Sequence, residues 1–417
     1  MLNNLINKKI AVWGLGKEGQ SLLRFFEKKN ISVDSIDGDD VDLNLYDIVF
    51  KSPGISLYHP AIKNAPNTII SSSSNLALSL IKKDVFKIGI TGTKGKSTTS
   101  SLMAHLLKKL GKKVALGGNI GVPLIDLVDD NFDFLVVEQS SYQAADILYP
   151  YDITILTNLY PEHLDWHGSH EQYYADKLNL IKIRKPNQIA VLNAINENTI
   201  QRTKDFQNLL WFNQKDAFYV SGHSVYFQDI EVLKSSDIPQ LIGTHNLENI
   251  CAVLTALRAM GITVENLAEI LSDFNPLPHR LAQHKIGDYL CIDDSISTTP
   301  ETAIAALKVF EGKKRFLLVG GYERGQDYSD LISYARQEKN VILICMPDTG
   351  KRVFENSSDL NSVFVDTMEQ AVLKVKEQAH PSDVIILSPA APSYNLYKHF
   401  DERGDDFIEC CKKILLK

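Results

Sequence analysis

Apolar residues in this chain follow two rhythms. Short runs such as Ile10-Ala-Val-Trp13 and Val384-Ile-Ile-Leu387, bounded by polar residues or glycine, read as buried strands. Longer stretches between them space apolar residues three or four apart, the mark of amphipathic helices. The pattern predicts strands at 10–13 and 31–36 around a helix at 20–29. It then predicts strands at 85–90, 114–116, 134–138, 153–156 and 189–192. Helices are expected up to Leu110, ahead of Gly111, and over 246–260. A last series places strands at 289–293, 315–319, 341–345 and 384–387. This alternation implies an α/β chain of mainly parallel sheets flanked by helices. Lys82-Lys83-Asp84 reads as a surface connection, and Asn275-Pro-Leu-Pro278 as a rigid, extended linker. The expected domains are 1–84, 85–278 and 279–417.

The chain has 417 residues, 44% hydrophobic and 23% charged, enough to bury sizeable cores without covalent staples. A formal charge of −7 argues against sequence-independent nucleic-acid binding, which needs basic surfaces. No apolar run is as long as a membrane span. The opening MLNNLINKKIAVWGLG enters a strand pattern directly, so no leader peptide is expected. Five cysteines without metal-ligand spacing are expected to be reduced and structural, in a cytoplasmic protein.

Chemistry concentrates in Gly89-Ile-Thr-Gly-Thr-Lys-Gly-Lys-Ser-Thr98, between a predicted strand and a predicted helix. Backbone N–H groups of a glycine-rich turn at a helix N-terminus bind anions, and the helix dipole adds to the attraction. Lys96 can reach the β- and γ-phosphates of a nucleotide, and the Ser97 hydroxyl suits Mg²⁺. The strict pattern has glycine where this chain has Ile90, so the loop is a variant. Gly14-x-Gly16-x-x-Gly19, with Asp37 farther on, fits a diphosphate at a helix start, whether in NAD or in a UDP-sugar. Glu138 closes a predicted strand, at the sheet edge where open α/β folds bind ligands. His163, His167 and His170 leave zinc open beside Mg²⁺, which prefers oxygen.

These segments resemble the Mur ligases, ATP-dependent enzymes that add amino acids to peptidoglycan precursors. Thr91-Gly-Thr-Lys-Gly-Lys-Ser-Thr98 resembles their ATP loop, apart from Lys94, usually Asn. Matching segments follow in order: Gly118-Asn-Ile-Gly121, Glu138-Gln-Ser-Ser-Tyr-Gln143, Pro161-Glu-His163, Ala175-Asp-Lys177, Gly243-Thr-His-Asn246, Leu277-Pro-His-Arg280, Asp294-Ser295 and Leu387-Ser-Pro-Ala390. Gly14-Leu-Gly16, Ser52-Pro-Gly-Ile55 and Ser388-Pro-Ala-Ala-Pro-Ser393 point to the branch that joins glutamate to UDP-N-acetylmuramoyl-L-alanine. The resemblance implies a Rossmann-like UDP-sugar domain, a central P-loop ATPase domain and a Rossmann-like glutamate domain. It implies an acyl phosphate, then a tetrahedral intermediate, formed by a monomer in the bacterial cytoplasm. By the same resemblance, Lys96, Glu138, His163 and Lys177 carry catalysis. Two Mg²⁺ ions would be held by Ser97, Glu138, His163 and Lys177, the last as a carbamate. ATP would meet Gly92, Thr93, Lys94, Gly95, Lys96, Ser97 and Thr98, with Asn246, Asn249, Arg280 and Asp294. The UDP-sugar would meet Lys17, Glu18, Gly19, Asp37, Ser52, Gly54, Asn119, Ser140 and His163. Glutamate would meet Thr298, Arg324, Ser393, Tyr394 and Phe400.

The chain departs from that branch in the amino-acid pocket. Ile296 replaces a common lysine, Arg324 stands where lysine is frequent, and Tyr394 where leucine is. An arginine fork and a lysine point charge are not equivalent. The reading favours D-glutamate over L-glutamate as acceptor. Three other readings compete: a folylpolyglutamate synthase, an NAD-dependent oxidoreductase using Gly14–Gly19, and a non-catalytic P-loop switch. The oxidoreductase leaves Gly92–Thr98, Glu138, His163 and Lys177 without a joint role.

Overall fold

The computed structural model describes residue 5 and residues 7–416. Its contacts divide the chain into two compact units: Met1–Pro239 with Thr244–Phe274, and Gln240–Gly243 with Asn275–Lys417.

The first unit holds two parallel sheets. The smaller runs Asp34–Ile36, Ile10–Trp13, Ile48–Lys51, Ile69–Ser71 in space. The larger runs Leu209–Phe212, Ile189–Asn193, Ile153–Leu156, Phe86–Thr91, Phe134–Glu138, Val114–Gly118. Its central strands are apolar almost throughout because helices cover both faces. One hydrophobic core joins the two sheets: Leu22, Phe26, Phe50 and Leu78 pack with Leu124, Leu135, Val137 and Tyr151. Another, around Leu156, Tyr173, Leu178 and Ile181, seats the helix His170–Lys182. A three-stranded antiparallel meander, Phe218–Ser221, Ser224–Phe227, Ile230–Lys234, was absent from the expected parallel pattern. Its strands have four or five residues and expose part of both faces, so they show little burial periodicity.

The second unit is a six-stranded sheet: Ala282–Ile286, Tyr289–Asp293, Val384–Leu387, Arg315–Val319, Val341–Cys345, Ser362–Phe364. Only its first strand is antiparallel, paired with its neighbour through a tight hairpin. Apolar clusters line both faces. The five cysteines are unpaired and buried. Among the described residues, no helix is long and apolar enough to cross a membrane.

Candidate active site

The strand Phe86–Thr91 ends in the turn Gly92-Thr-Lys-Gly95, and the helix Lys96–Lys109 begins directly after it. Gly95 caps that helix in the left-handed region, at φ 83°, and a Cβ there would lie 2.4 Å from Asn249 Oδ1. Gly92, at φ 145°, has Thr157 Oγ1 where a Cβ would stand. These close approaches require glycine at both positions. The turn is strapped from the next strand end: Thr157 Oγ donates to Lys94 O at 2.6 Å, and Asn158 Oδ1 accepts from Lys94 N at 2.8 Å. Lys96 Nζ folds back to Gly92 O and Thr93 O, at 3.0 and 2.8 Å. Ser97 is half-buried and Thr98 buried in the helix's first turn. Asn246 and Asn249 share a buried face of the helix Thr244–Ala259; Asn249 accepts from Thr99 Oγ1 at 3.2 Å, beside the phosphate turn.

A cluster of charged side chains adjoins this turn. Glu138 ends its strand fully buried; Asn119 Nδ2 donates to Oε1 at 2.6 Å, while Oε2 has no hydrogen-bond partner among the described residues. A buried carboxylate oxygen without a donor is costly unless a cation meets it. A buried carboxylate of this kind is a hard oxygen donor that suits Mg²⁺. Lys177, buried on His170–Lys182, reaches Gly92 O at 2.8 Å and lies 5.1 Å from the Tyr173 ring centroid. Burial, with Lys96 nearby, holds its ammonium well below the usual lysine range, against the pull of Glu162 and Glu138. His163 stands half-exposed at φ 56°, at the start of Leu164–His167. Partial burial lowers its imidazole, with Lys177 and Lys96 acting in the same direction and Glu162 opposing. Lys96, Glu138, His163 and Lys177, which are far apart in sequence, therefore interact around one loop. Lys94 pairs with Glu162 at 2.5 Å, a contact the sequence did not suggest. The histidine triplet forms no zinc site. His170 starts a helix at the surface, His167 is bonded to Asp176 and Ser141, and no three His, Cys, Asp or Glu among the described residues are grouped to hold a metal.

The residues assigned to the UDP-sugar gather in part. The Gly14–Gly19 turn opens the helix Lys17–Lys28, and Ser52 Oγ donates to Gly14 O at 2.5 Å. Lys17 Nζ donates to Gly121 O at 2.8 Å, two residues from Asn119. Gln143 Nε2 donates to Glu18 Oε1 at 2.5 Å, and the Gln143 side chain also completes the cap at Ser140. Burial raises the Glu18 carboxyl above its ordinary value. Gly54 has open space where a Cβ would be, and Asp37 is exposed at the end of its strand.

In the second unit, loops 294–299, 320–326 and 388–394 leave the C-terminal ends of parallel strands. Asp294 is buried, accepts from Ser297 and Ser388 at 2.5 and 2.7 Å, and is pushed up to about 6 by burial. Arg280 is close enough to oppose that shift. His279 Nδ1 lies 2.7 Å from Asp293 Oδ2. Thr298 O accepts from Gln326 at 3.1 Å, and Ser295 Oγ donates to Phe400 O at 2.7 Å. Ser393 is buried, whereas Arg324 and Tyr394 are exposed. Sequence reasoning missed Arg403. This buried guanidinium donates to Ser295 O and Ala391 O at 2.8 and 3.0 Å, tying two of the loops together. Burial lowers it to about 10. The signal was present: Arg403, Phe407 and Cys411, spaced by four, put Arg403 on the apolar face of Phe400–Leu415.

Comparison with known proteins places the chain in a family. The model of the Mur ligase middle domain matches residues 90–257. A relative from Xylella fastidiosa (strain 9a5c), named UDP-N-acetylmuramoyl-L-alanine--L-glutamate ligase, is 34% identical over 96% of this chain and 94% of its own length. One from Micromonospora sp. with the same name is 32% identical, over 99% and 98%. The solved structure of MurF ligase from Thermotoga maritima, in complex with ADP, shares the fold with a TM-score of 0.66 at 18% identity, covering 99% of this chain and 96% of that one. The chain belongs to the Mur ligase family, ATP-dependent ligases that form amide bonds.

Proposed function

We propose that this chain joins L-glutamate to UDP-N-acetylmuramoyl-L-alanine at the expense of ATP, in peptidoglycan precursor synthesis. The observation that carries the reading is the convergence of Lys96, Glu138, His163 and Lys177 on the phosphate turn. The sequence alone favoured D-glutamate; the names of the curated relatives specify L-glutamate and turn the proposal that way. The division of labour is kept as 1–84 for UDP-sugar, 85–278 for ATP and 279–417 for glutamate.

In this mechanism the turn's N–H groups and Lys96 hold the β- and γ-phosphates of ATP. Mg²⁺, held by Glu138, Ser97 and His163, with Lys177 as a carbamate, would neutralise charge between γ-phosphate and substrate carboxylate. Carbamylation needs a neutral amine, and the depressed Lys177 ammonium supplies one readily. The alanyl carboxylate attacks the γ-phosphorus, the bond to the ADP oxygen breaks, and an acyl phosphate forms. The glutamate amine, having shed a proton, attacks the carbonyl carbon. The tetrahedral adduct then expels phosphate and leaves the amide. The oxidoreductase reading gives this cluster no role. Phosphate release should require ATP, UDP-N-acetylmuramoyl-L-alanine and L-glutamate together. Equal turnover without either acceptor would end the ligase proposal, and faster turnover with D-glutamate would reverse the stereochemistry.

A further inference from the structure

His167 is the one histidine of its triplet that is buried, and the mechanism above gives it nothing to do. It ends the short helix Leu164–His167. Its Nδ1 lies 2.5 Å from Asp176 Oδ2, and its Nε2 lies 3.0 Å from Ser141 Oγ. A carboxylate only accepts, so Nδ1–H donates to Asp176, while Nε2 shares the second bond with the Ser141 hydroxyl. The other Asp176 oxygen accepts from Tyr58 OH at 2.5 Å and from Gln172 Nε2 at 2.8 Å. All three members of this Ser–His–Asp chain are buried.

The chain's anchor points bear on the cluster of charged side chains. Asp176 precedes Lys177 on the same helix. Ser141 lies three residues beyond Glu138, just past the end of its strand. His163 precedes His167 by one helical turn. One imidazole thus belongs to the element behind His163 and is bonded to the elements carrying Lys177 and Glu138. Tyr58 extends the network to the segment that follows Ser52 and Gly54. That segment is fixed again by Ser56 Oγ donating to Trp166 O at 2.8 Å and Trp166 Nε1 donating to Pro53 O at 3.0 Å.

We propose that His167 is a positioning residue: by bridging Asp176 and Ser141 it sets the mutual placement of Glu138, His163 and Lys177. The inference deepens the ligase reading and rests on it. Apolar side chains of similar volume would fill this space without the desolvation of an imidazole and a carboxylate. Directed bonds add orientation, and phosphoryl transfer is sensitive to orientation.

The test uses the full chain with His167→Ala and, separately, Ser141→Ala, which removes one bond and little volume. Thermal midpoint, Mg·ATP affinity by calorimetry, and kcat and KM for both acceptors are measured. His167→Ala should weaken Mg·ATP about tenfold. It should lower kcat by about 10²-fold while leaving each acceptor KM within about threefold. Ser141→Ala should shift affinity and kcat the same way, by about threefold or more, with a melting temperature near wild type. Either variant, folded, with wild-type Mg·ATP affinity and kcat overturns the proposal. If His167→Ala does not fold, Ser141→Ala decides alone. A wild-type chain that binds Mg·ATP but turns over neither acceptor defeats the ligase reading, while the calorimetric comparison still judges the role of His167.

Discussion

The glycine turn with its cluster of charged side chains and the strand-end loops of the second unit are both built at the C-terminal ends of parallel strands, yet they are held differently. The first is fixed by backbone: Gly92 and Gly95 sit where no Cβ fits, and lysines reach main-chain carbonyls. The second is fixed from beneath, by Arg403 and Asp294, while the assigned ligand residues Arg324 and Tyr394 extend into solvent. A site defined by backbone leaves little freedom of sequence. A site of exposed side chains on a rigid base can change them without disturbing the fold. The departures from the family pattern accordingly fall in the second region, apart from Lys94, itself exposed.

The largest expected effect tests the rigid side. Glu138→Gln removes the charge facing the unpaired Oε2 position, and acceptor-dependent phosphate release should fall by about 10³-fold. A loss under tenfold would take Glu138 out of the cation site. Lys177→Ala should lower turnover by about 10²-fold. Acetate or formate should restore part of it by standing in for a carbamate, and wild-type turnover would remove the modification from the mechanism. On the adaptable side, Arg324→Lys replaces a fork by a point charge. The glutamate KM should rise by about tenfold with ATP affinity unchanged; an unchanged KM would detach Arg324 from the pocket.

The smallest effect concerns the base of the second region. The Asp294 carboxyl is raised to about 6 from an ordinary 3.8. Its protonated form is favoured on folding, so its stabilisation is complete below pH 3.8 and lost as pH rises through about 6. Asp294→Asn stays neutral. Its melting temperature should gain on wild type by about 2–4 °C between pH 4 and pH 7.5. A difference independent of pH would show that burial does not control this acid.

Legibility in the sequence follows the same physics. Fully buried strands such as Arg315–Val319 and Val341–Cys345 were read at their observed limits because helices cover both faces. The strand expected at 31–36 shrinks to Asp34–Ile36, since its edge position buries little. The helix expected from 20 begins at Lys17, where the glycine turn rather than the apolar stripe sets the start. The phosphate turn was legible because its chemistry is contiguous. The Lys94–Glu162 pair, the His167 chain and the carbonyl partners of Arg403 were not, because each depends on residues brought together only by packing.

The core common to the two sheets of the first unit bears on any attempt to build chimeras. Residues 1–84 look exchangeable on paper, yet Leu22, Phe26 and Phe50 are packed with Leu124 and Leu135, and Lys28 and Lys29 reach across to Asp129. A graft of a relative's first segment must carry the 124–132 stretch with it, or the recipient will present an unmatched oily surface where its neighbour used to be.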